Sequence, residues 1–264
     1  MSLRVLGCSG AIAAGCRTTA FLLDERVLVD AGTGLGDLPL EALSRIDHVL
    51  LSHSHLDHIL GVPLLADATL RQRRALGLGP IVVHALPATL QALQAHVLND
   101  VIWPDFTRLP SAEQAALQLS PLSIGQTLSL DGRQIRVLPA AHTVPACGFA
   151  VRARDAERWT VYTGDTGPNP ALWDSLRALP LAQLIIEVAF GDDEAALAAR
   201  AGHHCPESLA AELLHCTPGA FPIWLTHLKP GEHEAIAAQL AARLPAHRAR
   251  LLSAGQTLSL DDAD

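Results

Sequence analysis

The segment Ser52-His53-Ser54-His55-Leu56-Asp57-His58 puts three imidazoles and a carboxylate into six residues, directly after the apolar, strand-like stretch His48 to Leu51. Such density at a strand end asks for a cation, because neutral imidazole nitrogen and carboxylate oxygen are the ligands that zinc and similar borderline ions take. His53 and His55 are two apart, so at the end of a strand their side chains leave on the same side and can share one ion. Asp57 and His58 lie past the bend, where Ile59 to Leu70 reads as the start of a helix, and they aim at a second position nearby. The spacing predicts two adjacent metals. A lone histidine pair would carry less, since imidazole is also an ordinary core hydrogen bonder or surface group.

The run His-x-His-x-Asp-His resembles the motif of the metallo-β-lactamase superfamily of hydrolases, and the resemblance implies where further ligands stand. By that analogy His142, after the strand-like Gln134 to Pro139, completes the shell of the first metal with His53 and His55. Asp165, closing Trp159 to Thr163, bridges both ions, and His227, after Phe221 to Thr226, joins Asp57 and His58 on the second. Taken singly, Asp165 beside glycines is equally a turn residue, and His142 and His227 have ordinary structural roles. Their common placement at the ends of apolar strands favours a shared site. Asp30, after Val27-Leu28-Val29, is placed alike and reads either as a turn residue or as a group that orients a ligand histidine.

Two divalent ions about 3.5–4 Å apart hold a bridging hydroxide, polarise a phosphoryl or carbonyl oxygen and need no serine or cysteine nucleophile. The cysteines agree: Cys8, Cys16, Cys147, Cys205 and Cys216 are odd in number, scattered and free of any Cys-x-x-Cys pair. They read as reduced cytosolic thiols. A departing alkoxide still needs a proton, and His203, ahead of the expected helix Pro206 to His215, is the candidate acid. Glu187, inside the apolar Leu184 to Phe190, demands a partner and is the carboxylate that would orient it. Alternatively His203 caps the helix and Glu187 meets an arginine. Asp57, His203 and Glu187 form the expected catalytic set.

Outside the ligands, the segments Arg17 to Asp24, Asn99 to Phe106, Thr163 to Pro168, Ile185 to Val188, Gly202-His203 with Pro206, and Thr226 to Pro230 resemble the class II cyclic-nucleotide phosphodiesterases. The resemblance spans most of the chain. It implies hydrolysis of 3′,5′-cyclic nucleotides such as cyclic AMP to 5′-monophosphates, with two divalent ions, zinc first and manganese or iron as alternatives; dimerisation follows only from the resemblance. His204-Cys205 departs from the leucine and threonine usual in relatives. Trp103 and Phe106 are expected to stack on a nucleobase, or else to serve as satellite core or dimer contacts. Lys229, the one lysine among 19 basic residues, reads as a charge near the phosphate or as a surface residue.

At 264 residues the chain fits one α/β domain, residues 1–264, long enough for a sizeable core. Strand-rich segments alternate with helices in two halves, about 3–119 and 122–252, which supports two βα halves stacked sheet against sheet with helices outside and ligands on loops at one edge; the resemblance implies the four-layer αβ/βα sandwich of the metallo-β-lactamase type. Gly125 to Asp131 recurs verbatim as Gly255 to Asp261, a repeated turn-and-strand. No apolar span of about 20 residues is present, and the first residues read as a strand, so a cytoplasmic location is expected. The formal charge of −8 argues against a broad nucleic-acid surface. The run Arg71 to Arg74 is either a small basic patch or a solvated helix face.

The residues and the resemblance together favour a dinuclear-metal phosphodiesterase acting on a small phosphodiester, without membrane or nucleic-acid partners. The alternatives are a relative of the tRNA 3′-processing endonuclease, which would want a basic, glycine-rich arm, a lactonase or thioesterase using the same metals on a carbonyl, and a non-catalytic metal or nucleotide sensor.

Overall fold

The computed structural model describes residues 1–247 and 249–260. Residues 261–264 of the expected domain, and with them Asp261 of the second heptapeptide, lie outside the described residues.

Six strands lead the chain: β1 (Ser2–Gly7), β2 (Ala20–Leu23), β3 (Val27–Val29), β4 (His48–Leu50), β5 (Ile81–Ala85) and β6 (Leu117–Pro121). Then come β7 (Thr127–Leu130), β8 (Arg133–Ala140), β9 (Ala146–Ala153), β10 (Trp159–Tyr162), β11 (Leu181–Glu187), β12 (Ile223–Thr226), β13 (Arg250–Leu251) and β14 (Thr257–Ser259). They form two mixed seven-stranded sheets, ordered β14-β1-β2-β3-β4-β5-β6 and β13-β12-β11-β10-β9-β8-β7. From the β14 edge the first sheet has three antiparallel pairings and then three parallel ones. From the β7 edge the second sheet repeats that pattern.

The returning β14 is therefore to the first sheet what β7 is to the second, a return that the division near residue 120 did not include. This equivalence accounts for the recurring heptapeptide. Gly125 and Gly255 both take positive φ, +83° and +87°, a left-handed turn that glycine enters without a Cβ penalty. The following glutamines act alike: Gln126 Oε1 accepts from Ser123 N at 2.9 Å, and Gln256 Oε1 from Ser253 N at 3.2 Å.

Side chains alternate across the strands as a two-residue period requires. Val27 and Val29 face the second sheet in a core shared with Phe149, Val151 and Ile185, whereas Leu28 faces the helices. Those helices, Gly61–Ala75 and Pro87–His96, cover the first sheet with Val62, Leu65, Leu90 and Leu93. Pro170–Leu176, Pro206–Leu213 and His233–Arg243 cover the second with Trp173, Leu209 and Leu240. The result is the four-layer sandwich of the metallo-β-lactamase fold, helices outside and the sheets face to face. In Gly61–Ala75 the buried Val62, Leu65, Ala66 and Thr69 follow the helical period.

The Arg71 to Arg74 run is not simply solvated. Arg73 is buried, donating to Ser44 O, Ile46 O, Gly79 O and Asp47 Oδ1, so it ties the helix to the loop before β4. All five cysteines are free thiols. Among the described residues no helix is long and apolar enough to cross a membrane.

Parallel pairing sets the position of the site. β3 and β4 run parallel, as do β10, β11 and β12, so the residues just past their ends gather at one edge of the sandwich.

Candidate metal centre

The structure brings together all seven side chains singled out as ligands. His53, His55 and His142 form one group whose ligand atoms lie within 4.8 Å of one another; Asp57, His58 and His227 form another, and His53, His58 and Asp165 a third that joins them. Asp165 Oδ2 lies between, 3.2 Å from His58 Nε2, 3.2 Å from His227 Nε2 and 3.7 Å from His53 Nε2. Asp57 Oδ2 stands 3.5 Å from His58 Nε2 and 4.0 Å from His227 Nε2. His142 Nε2 faces His55 Nδ1 at 3.1 Å. Two cavities, of about 910 and 820 Å³, hold none of these residues; the donor atoms define this site.

Hydrogen bonds behind the cluster set which ring nitrogens face inward. Asp30, fully buried, accepts from His58 Nδ1 at 2.8 Å, Ser52 N at 2.8 Å, Ser52 Oγ at 2.8 Å and Tyr162 OH at 2.9 Å. Because the Ser52 hydroxyl donates to Asp30, it can only accept from His53 Nδ1, 3.0 Å away. His142 Nδ1 donates to Gly202 O at 2.8 Å. Each of these imidazoles therefore turns its Nε2 lone pair into the cluster, the orientation that a second layer of acceptors imposes on metal-binding histidine. The Nε2 atoms of His53 and His58 are buried without a hydrogen-bond partner among the described residues. With His58 Nδ1 on Asp30, the 3.2 Å approach of His58 Nε2 to Asp165 Oδ2 calls for a proton or a cation between them. The donor set thus fits divalent ions.

Electrostatics point the same way. Burial pushes the pKa values of His53 and His227 well below the ordinary imidazole value, and lowers those of His55 and His142. Burial opposes charge on Asp165 too, but His227, His58 and His53 outweigh it and hold the carboxyl well below its usual range. At His58 burial is overcome by Asp165 and Asp30, which raise the imidazole pKa well above normal; a cation at Nε2 would take that proton's place. Two of the five non-glycine residues with positive φ among the described residues lie here, Asp30 and His227 with φ of +55° and +65°, conformations costing about 1–3 kcal/mol each. His227 is held there by its N–H to Cys8 O at 2.7 Å. Gly202, at φ +67°, ends the helix Ala195–Ala201 and turns its carbonyl to His142.

His203 and Glu187 meet beside the cluster. His203 Nδ1 is 2.8 Å from Glu187 Oε1, which also accepts from Thr166 N at 3.1 Å. The His203 ring lies 4.8 Å from that of His142 and stacks on His227 at 5.1 Å. Burial lifts the Glu187 pKa to about 7 against the pull of His203. Burial also opposes charge on His203, but Glu187 overcomes it and raises the imidazole. Each partner favours the charged form of the other. Neither ordinary alternative holds: Cys205 and Ser208 cap the helix Pro206–Leu213, and Glu187 pairs with His203 rather than an arginine.

A model of the Beta-lactamase superfamily domain matches residues 25–249. The chain belongs to the beta-lactamase superfamily. Ribonuclease Z of Bradyrhizobium sp. (strain ORS 278) is 35% identical to this superfamily member over 136 residues, 50% of this chain and 38% of that protein. A probable 3′,5′-cyclic-nucleotide phosphodiesterase of Yersinia pestis is 25% identical over 208 residues, 70% of this chain and 57% of that one. The match spans less than half the length of the ribonuclease Z proteins of two Bradyrhizobium strains and Halorubrum lacusprofundi, 38%, 46% and 49%. The crystal structure of unliganded yeast PDE1 superposes with a TM-score of 0.80 at 20% identity, covering 98% of this chain and 99% of that one.

Of the three expected substrate contacts of this superfamily member, Phe106 is core, Trp103 is partly buried against that core, and Lys229 stays close enough for its charge to act on His203 and His227. Phe106 is 5% exposed and packs into the core between the first sheet and its helices, and Trp103 packs against the same core. The Phe106 ring offers no face to a base, which corrects the stacking expectation there, and Trp103, partly buried, takes the satellite-core alternative. The cause is polar: Asp100 Oδ1 accepts from Asp105 N, and Arg108 binds both aspartates, so the segment curls with its aromatic side inward. Lys229 Nζ donates to Gly10 O at 2.6 Å and lies over the Phe190 ring at 5.7 Å, one ring removed from His203. Reading the sequence missed Ser52, Tyr162 and Thr166. A signal existed for Tyr162, since a hydroxyl in the apolar strand Trp159 to Tyr162 needs a partner.

Proposed function

We propose that the chain is a metal-dependent phosphodiesterase with seven protein ligands, His53, His55, Asp57, His58, His142, Asp165 and His227, around two divalent ions. The observation that carries this reading is the position of Asp165 Oδ2, within 3.7 Å of three imidazole Nε2 atoms from both halves of the chain. When bound, the ions would supply a nucleophilic water at neutral pH and neutralise charge gathering on the phosphoryl oxygens; zinc suits the imidazole-rich set.

The residues supply the rest. His203, held by Glu187, gives its proton to the departing oxygen, a role that matters for alkoxides and little for phenolates. Asp57, partly exposed, faces the solvent side and orients the entering water. Thr166 N and His203 share Glu187 Oε1, which keeps the acid in register with the Asp165 loop.

A small 3′,5′-cyclic nucleotide is the favoured substrate. The charge of −8 disfavours a polyanion, and similarity to phosphodiesterases named for cyclic nucleotides supports the class. A second reading, RNA 3′-end processing, is favoured by the several ribonuclease Z relatives. The test is purified chain loaded with zinc or manganese and assayed on cyclic AMP, cyclic GMP, bis(p-nitrophenyl) phosphate, a tRNA precursor with a 3′ trailer and a lactone panel. Release of 5′-AMP supports the first reading. Trailer removal without cyclic-nucleotide cleavage supports the second, and lactone turnover alone refutes both.

A further inference from the structure

We propose that Tyr162, the chain's one tyrosine, is a positioning residue: its phenol reaches across the sandwich to clamp Asp30 and thereby fixes His58 against Asp165. The inference rests on the dinuclear reading above. Tyr162 ends β10, is buried in the core between the sheets and meets Phe21 edge to face at 5.1 Å. Its hydroxyl donates to Asp30 Oδ2 at 2.9 Å.

Of the four donors on Asp30, Ser52 supplies two and His58 one, all from the first half of the chain; only Tyr162 comes from the second. That division matters because the ligands divide too: His53, His55, Asp57 and His58 follow β4, whereas His142, Asp165 and His227 follow β8, β10 and β12. Tyr162 closes a circuit across the gap. Its backbone continues through Thr163 and Gly164 to Asp165, whose Oδ2 is 3.2 Å from His58 Nε2, while His58 Nδ1 is 2.8 Å from Asp30 Oδ2 and the phenol binds that same oxygen. The circuit sets the separation of the carboxylate and the imidazole that face each other over an ion. It also keeps Asp30 aligned as an acceptor for His58 Nδ1, which leaves Nε2 as the ligand atom.

The two ion positions differ in their dependence on this strut. His53 has a tether of its own, since Cys147 N donates to Ser52 O at 2.9 Å and Ser52 Oγ accepts from His53. Loss of the phenol is therefore felt first at the position of Asp57, His58 and His227.

The test is titration of the full chain with Zn²⁺ against a chromophoric chelator, in wild type, Tyr162→Phe, Asp30→Asn and the double variant, with melting of the zinc-stripped proteins. Phenylalanine keeps the ring and its contact with Phe21. Tyr162→Phe is expected to weaken one zinc equivalent about 10–100-fold while the other changes less than about threefold, and to add little in the Asp30→Asn background. Unchanged affinities, equal weakening of both equivalents in step with melting, additivity with Asp30→Asn, or a variant that does not fold would each overturn the proposal. A wild-type chain that takes up no zinc would overturn the dinuclear reading itself, an outcome separable because it precedes any substitution.

Discussion

Glu187→Gln isolates the acid from the metal site. Glu187 is fully buried, with Oε1 on His203 Nδ1 at 2.8 Å and on Thr166 N at 3.1 Å, while Oε2 has no partner among the described residues. An amide oxygen in place of Oε1 keeps both contacts and the volume but removes the charge. A hydrogen bond to a charged group is worth about 1.5–3 kcal/mol against about 1 kcal/mol for a neutral one; the difference of about 1–2 kcal/mol is about one pKa unit. Its sign follows from the structure. Burial lowers the His203 pKa and Glu187 raises it, so removing the carboxylate moves the pKa down and the alkaline limb of activity to lower pH. On that limb the protonated fraction falls about tenfold. Cyclic AMP, with an alkoxide leaving group, is expected to lose about tenfold in kcat/KM, whereas bis(p-nitrophenyl) phosphate stays within about threefold. The assay is kcat/KM against pH for both substrates, on zinc-loaded wild type and variant of equal metal content. Equal losses on the two substrates, or an unmoved alkaline limb, would refute the acid role.

Asp165→Ala is expected to retain the fold and bind at most one ion, because Oδ2 alone reaches His53, His58 and His227; metal analysis showing two ions would reject a bridging role. Phe106→Ala is expected to cost about 3–5 kcal/mol of stability in urea unfolding with KM unchanged, since the ring is core; a raised KM at unchanged stability would restore the stacking role. His84, paired with His48 at 3.2 Å, has its pKa pushed down to about 4 by burial and then by His48. The unfolded chain takes up this proton near pH 6.5 and the folded chain only near 4, so stability is present above 6.5 and lost as pH falls toward 4, by at most about 3 kcal/mol. His84→Leu should show a correspondingly shallower loss between pH 7 and 4.5 in urea melts; parallel curves would exclude this contribution.

The ligand types were legible because they are local chemistry: four ligand-type side chains within six residues, and further acids and imidazoles just past apolar strands, survive any detail of packing. The strand ends were legible for the same reason, since the runs before them are mostly apolar. For Trp103 and Phe106 base stacking and satellite core stayed equally open in the sequence, because aromatic composition does not say which way a segment curls. Asp100, Asp105 and Arg108 decided that through hydrogen bonds.

By itself, then, the sequence determined the donor chemistry, the strand-then-ligand rhythm and the repeated edge turn, all properties of residues within a few positions of each other. Only the tertiary structure decided that β14 returns to the first sheet, that Asp30 holds His58, and that Tyr162 reaches Asp30 from 132 residues away. The reason is physical: a buried polar group takes whichever partner the packed sheets bring within about 3 Å, and separation along the chain carries no record of that partner.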